Sequence, residues 1–396
     1  MPQIDQFGTN YLTLTLEINK HIDGYVDAYI GPPNLKAQVE TGEKKPPQAL
    51  MADLEALRAA LPNEDHARAK YLTAVFRAMD CTLLMLDGEE FAYLDEVERL
   101  FDIKPKLVDE RQFASAHNQM DTHLPGSGNL TDRYNQWRAQ FDIPVDKLQA
   151  LLDLATEETR DRTQKFVDLV EGEGIEYELV ADKPWVANNV YLGTARSLVE
   201  VNMDIPTNAT ALADLIAHEG YPGNHTELML KEKLLYQGKG YAEIASVLLH
   251  SPWSVTAEAI ATTAAEIIFP GDSLYEWTAQ VAIPAAGLPN ISAQELRAIL
   301  APMNRIRAVG ANAAIQYHSG EFSQEDVIEY MQTYNLMSEN RATKAFEFMS
   351  HPLYRAYIFT YSEGYELLEQ AAVGGDKQPV FEWLLVEQVL PSELVE

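Results

Sequence analysis

The sequence predicts a mainly α-helical protein, a large helical body with a small β-sheet inserted beside one helix that carries an unusual polar motif. Three observations carry the prediction. Apolar residues recur every three or four positions over most of the chain; one stretch alone alternates with the two-residue rhythm of a strand; and Gly and Pro clusters separate the helical segments. At 396 residues and 46% apolar content the chain can bury a substantial core, as one or two domains. Residues 1–172 read as an N-terminal helical region. Residues 173–396 read as a second region with the sheet, the motif and the C-terminal helices, packed intimately against the first.

Taken in order, residues 5–30 and 47–61 have the apolar spacing of amphipathic helices, the first closed by the turn GPPN at 31–34. The pattern continues over 64–86, 89–101 and 109–123. PGSGN at 125–129 reads as a loop, and 145–171 as a long charged helix. The period then changes. IEYELV at 175–180 and NVYLGTARSLVEVNMDI at 189–205 alternate apolar and polar residues, the one convincing β region. Pro206 and Thr207 end it, and Thr207 or Asn208 can cap the next helix, ALADLIAHE from Ala211. Beyond Glu266 helices are expected over 273–284, 293–317, 324–335, 339–350 and 354–371, so that helix exceeds half the chain.

Charge and composition narrow the function. Thirty Lys and Arg against sixty Asp and Glu give a net charge of −30, which repels phosphate backbones and anionic lipid, so neither nucleic acid nor membrane is an expected partner. No run of about 18 uninterrupted apolar residues suggests a membrane span. The N-terminus lacks the order of a secretory signal, and a cytoplasmic protein is expected. The single cysteine, Cys81, lies in the apolar stretch FRAMDCTLLML and reads as a small buried hydrophobe.

The segment from His218 to Glu227, HEGYPGNHTE, carries the chemistry. His218 and His225 are two candidate imidazole ligands, and Glu219 is a carboxylate placed to activate a metal-bound water. On a straight helix residues seven apart share a face but lie about 10 Å apart along the axis, too far for two bonds to one zinc ion. Pro222 and Gly223 must therefore break or bulge the helix if both histidines are to serve. A third ligand is available downstream in VTAEAIATTAAEIIF, where Glu258 or Glu266 sits among small residues that let two helices approach closely. The plainer alternative is a packed core helix with Glu258 in its first turn.

HEGYPGNHTE resembles the HExxPGHH signature of the bacterial domain-of-unknown-function 885 family of zinc-dependent hydrolases. His218, Glu219, Pro222, Gly223 and His225 match it, while Glu258, Ala259 and Ala261 match loosely the start of that family's EGWALYAE motif. YHSGEFSQEDVIEYM with His318, HPLYRAYIFTYSEG with Tyr361 and Gly364, and the N-terminal phrase DGYVDAYIGPP extend the likeness. The chain departs from the signature at Asn224, where the family has the first of two adjacent histidines. If the second is the ligand, the site survives through His225.

The resemblance implies a zincin-like cleft and a zinc-dependent hydrolase, most simply a metallopeptidase or carboxypeptidase acting on peptides. Zn2+ would be held by His218, His225 and Glu258, with Glu219 as general base and Tyr361 as oxyanion donor, His318 being its partner. Arg355 could hold a substrate carboxylate through a guanidinium fork. The strand preceding the motif could pair with an extended substrate, Asn202 taking part. An esterase or amidase on small substrates, and a non-catalytic helical binding protein with a degenerate metal site, are the alternatives.

Overall fold

The computed structural model describes residues 4–62, 65–183 and 185–395. Helix accounts for 62% of it and strand for 8%, the mainly α architecture with a small β component that the apolar periodicity predicts. Among the described residues no helix is long and apolar enough to cross a membrane.

The first predicted helix is the clearest difference from expectation. It runs from Gln6 to Asn19, and a separate strand, β1 (Val26–Tyr29), follows. Two local features end the helix: the Asn19 side chain accepts from the Val26 N–H at 2.9 Å, and Gly24 adopts a left-handed φ of +83°. The strand is then held by a partner remote in sequence. The helix expected from residue 64 is seen from His66 to Leu86, its expected start lying outside the described residues. The helix from Val145 ends at Thr163 rather than 171.

The alternating region forms a three-stranded sheet of β2 (Gly174–Val180), β3 (Ala187–Gly193) and β4 (Arg196–Asn202) in the order β2-β4-β3. β4 is the central strand, parallel to β2 and antiparallel to β3. Thr194 and Ala195, both at positive φ, form the tight turn between β3 and β4, whose twist matches that of the flanking strands. A second, two-stranded sheet pairs β1 antiparallel with β5 (Ser246–Leu248), joining Val26 to Leu248. Among the predicted C-terminal helices, Glu339–Ser350 matches, whereas the segment from Ala293 divides at Leu300, just before Pro302.

Three apolar clusters hold these elements. One joins Leu12, Leu54 and Phe76 to Tyr236 and Leu248; a second joins Cys81, Leu100 and Phe113 to Val309, Phe346 and Phe359; the third packs around the His218 helix. Each of the first two draws on residues from both sides of the 172/173 boundary. Cys81 is fully buried, and burial pushes its thiol up to about 12, the small inert hydrophobe its context predicts.

Candidate functional site

The motif folds as two short helices meeting at a break. Helix Leu212–Glu219 ends at Gly220, the Tyr221–Pro222 peptide is cis, and helix Asn224–Lys231 starts after Gly223. Pro222 cannot continue the first helix. A Cβ at residue 223 would collide with the carbonyl oxygens of Ala217 and His218, whereas glycine lets its own N–H donate to Ala217 O at 2.9 Å. The predicted interruption is therefore present.

Its consequence differs from the expectation. Successive helical residues point about 100° apart, so Asn224 and His225 cannot face one direction. Asn224, with Leu228 one turn on, lines a cavity together with His218 and Glu219. His225 turns instead to the sheet and is fully buried: Ser197 Oγ lies 2.8 Å from its Nδ1 and Glu173 Oε2 lies 3.3 Å from its Nε2. Burial alone would raise the pKa of Glu173, but hydrogen bonds from His225, Tyr221 and Arg160 hold it at about 2. An ionised carboxylate only accepts, so Nε2 carries the imidazole proton and Nδ1 accepts from the Ser197 hydroxyl. Burial also lowers the pKa of His225, keeping the ring neutral. Both ring nitrogens are spent, and His225 does not join His218 and Glu258.

Glu258 does reach the cavity. Its helix, Pro252–Ile268, packs against Ile358–Ala371 so closely that a Cβ on Gly364 would stand 2.6 Å from Val255 O and 2.8 Å from Ala259 N. The small residues around Glu258 permit that approach, as the sequence suggested. Tyr357 OH donates to Glu258 Oε1 at 2.7 Å, and Glu258 Oε2, buried without a hydrogen-bond partner, lies 3.7 Å from His218 Nε2. Glu219 Oε1 is 4.0 Å from the same nitrogen. The other oxygen of Glu219 accepts from Asn224 Nδ2 at 3.1 Å, and Asn189 Nδ2 of β3 donates to Glu219 O at 2.6 Å. The cavity encloses about 180 Å³, and aromatic side chains including Trp253, Phe348, Tyr354 and Tyr361 complete its wall.

The cavity is electrostatically unbalanced. Burial pushes Glu219 and Glu258 each up to about 7, and a third acid, Asp27, lines the same cavity from β1. None of the lining residues is Lys or Arg. Two buried acids without a lysine or arginine beside them are costly, and a cation in the cavity would relieve that cost.

The expected three-ligand set is not assembled, and among the described residues no three His, Cys, Asp or Glu side chains converge on a common metal position. A reduced set does fit an ion. Two donors about 2.1 Å from one zinc at the tetrahedral angle stand about 3.4 Å apart, close to the His218–Glu258 separation, and the unpartnered Glu258 oxygen is the donor such an ion would use. Asn224 supplies an amide where a second imidazole was expected.

The remaining predicted residues divide. Tyr361 lines the cavity, its ring 5.6 Å from that of Tyr357, and burial raises its hydroxyl well above the usual value. His318 does not: its Nε2 lies 2.9 Å from Met349 O and its ring packs at 4.0 Å on Tyr93. Arg355 is not free to hold a substrate, because it forks onto the buried Glu96. Asn202 lies in the central strand, fully buried, and donates to Lys183 O and Trp185 O at 2.9 Å each, so it has no free edge to offer. Glu266 pairs with Lys377 and Tyr365 outside the cavity. Sequence reasoning missed Asp27, Glu173 and Tyr357. Asp27 sits within DGYVDAYIGPP, a phrase noticed but given no role; Tyr357 lies one helical turn before Tyr361 and could have been found by that spacing.

No family model matches the chain, and no curated protein matches it. Among solved structures, one described as a lipoprotein from Colwellia psychrerythraea is similar at a TM-score of 0.57 with 15% identity, covering 97% of this chain and 69% of that one. At that identity the likeness shows a shared fold. A second structure, BsuCP, aligns at a TM-score of 0.43 with 11% identity, over 98% of this chain and 93% of that one, a likeness too low to carry an argument.

Proposed function

We propose that this chain is a metal-dependent hydrolase acting on peptides, or on related amides and esters, with Zn2+ as the first candidate ion. The observation that carries the reading is the buried, unpartnered Glu258 oxygen facing His218 Nε2, with Glu219 beside them. The resemblance of HEGYPGNHTE to the domain-of-unknown-function 885 signature supports it further. A cytoplasmic setting goes with this reading.

His218 and Glu258 would hold the ion, and the ion would supply an acidified water and polarise the scissile carbonyl. Glu219 is the base. Asn224 fixes one of its oxygens and leaves the other, the one nearer His218, to take a proton and pass it to the leaving group. A carboxyl poised near neutrality suits that exchange. Tyr357 orients Glu258 by holding its Oε1. Tyr361, across the cavity, donates to the oxyanion as the carbonyl becomes tetrahedral.

The placement of Asn224 in the cavity, with His225 turned away, favours a second reading, a binding protein that retains the cavity without turnover. Metal titration with a panel of peptides and esters separates the two. The hydrolase reading expects one tightly held divalent ion per chain and turnover that disappears in Glu219→Gln while ion affinity persists. Turnover that survives Glu219→Gln, or a chain that binds no divalent ion, removes it.

A further inference from the structure

A second cavity, of about 350 Å³, adjoins the first and shares Phe348 and Tyr361 with it. Its wall is apolar, with Val186, Ile205, Met331 and Ile358, yet three cationic side chains, Arg307, Arg341 and Lys344, also line it. Arg341, Lys344, Ala345 and Phe348 recur at the spacing of one face of helix Glu339–Ser350. In a chain with twice as many acids as bases, cations would be expected to find carboxylates. Arg307 does so, lying 3.9 Å from Glu266, although its Nε is buried without a partner. Among the described residues Arg341 and Lys344 have no carboxylate within ion-pair distance. The charged groups nearest Arg341 are Arg138 and Asp142, the latter beyond ion-pair distance, and Lys344 lines the same wall; cations without a paired carboxylate at a largely apolar wall are unfavourable unless an anion completes the site.

We propose that this groove binds the carboxylate-bearing apolar end of the substrate, with Arg341 and Lys344 receiving the carboxylate and the apolar wall receiving the terminal side chain. A guanidinium fork and an adjacent ammonium match a carboxylate, and the shared Phe348 and Tyr361 place such a ligand with its other end toward His218 and Glu219. The role first given to Arg355 passes to Arg341. The inference rests on the hydrolase reading for the word substrate; the binding itself does not.

The test is direct binding by calorimetry to Glu219→Gln protein, using N-acetyl-leucyl-phenylalanine as the free acid and as the C-terminal amide. The acid should bind about ten-fold tighter than the amide or better, as a charge-assisted contact requires. In Arg341→Met/Lys344→Met the two should bind alike, with the amide affinity unchanged. Equal binding of acid and amide, a preference that survives the double substitution, or no binding of either peptide overturns the proposal. The acid–amide comparison on otherwise unaltered protein keeps it testable should the double variant fail to fold. Acid preference without any peptide cleavage leaves the groove standing and removes only the hydrolase reading; cleavage without acid preference does the reverse.

Discussion

Replacing Gly364 with alanine should open the contact that sets the cavity. The added methyl would stand 2.6 Å from Val255 O, 2.8 Å from Ala259 N and 3.2 Å from Ala259 Cα. Restoring a contact of about 3.5 Å requires the helices to part by roughly 0.8 Å. All three atoms are backbone, so no side chain can swing aside, and the cost belongs at the upper end of the overpacking range, about 3 kcal/mol. The gain in helix propensity from glycine to alanine, about 1 kcal/mol, offsets part of it and leaves a net loss of about 2 kcal/mol. Gly310→Ala is the control, because its methyl meets only the flexible end of Ile358 at 3.4 Å; it should be neutral or stabilising by up to about 1 kcal/mol. Denaturant unfolding of both variants beside the parent measures the difference. Tyr361 lies one turn before Gly364 and Glu258 adjoins Ala259, so turnover should fall by about 100-fold in Gly364→Ala alone. Gly364→Ala as stable as Gly310→Ala would refute the packing argument.

Three further outcomes follow from the same geometry. His225→Ala should leave divalent-ion affinity unchanged by titration while lowering stability by about 3 kcal/mol, since it empties a core position and strips a donor from Glu173; a ten-fold loss of ion affinity would return His225 to the ligand set. Arg355→Ala should destabilise the fold by about 3 kcal/mol through the stranded Glu96, measured by denaturation, with substrate KM unchanged. In metal-free protein, Glu219 and Glu258 titrate near 7, well above ordinary carboxylates, so the folded state favours their neutral forms. That contribution, up to about 3 kcal/mol each, is complete below about pH 4.5 and is lost as pH rises through about 7, so Glu219→Gln/Glu258→Gln should flatten the stability profile between those values. For turnover the sign is opposite, because the base must be ionised; the bound cation lowers its pKa, so kcat/KM should fall toward acid pH with a midpoint below that of the metal-free carboxyl.

Much of the fold was legible because its signals are local. Apolar spacing located most helices, the two-residue alternation located β2 to β4, and Pro222 with Gly223 located the break in the motif. What escaped depends on remote partners. Residues 26–29 read as the tail of a helix, and only pairing with β5 makes them a strand. At the site, His218, Glu219, Glu258 and Tyr361 do share one cavity, but the choice between Asn224 and His225 turns on about 100° of helical phase after the break. Composition cannot fix that phase; it is fixed by Ser197 and Glu173, which claim the imidazole from the sheet. Arg355 was plausible by residue type and His318 by the family resemblance, and Glu96 and Met349 had already taken them.

The pairing of β1 with β5 also bears on how the protein is made. Asp27 reaches the cavity from a strand that has no partner until residues 246–248 exist, and Tyr357 and Tyr361 come later still. A nascent chain leaving the ribosome therefore carries the motif long before it carries a pocket, and the early strand must wait with its edge unpaired. Ligand or ion capture would then report the final stage of maturation, and a chain cut between the two halves should regain it only when both pieces are supplied together.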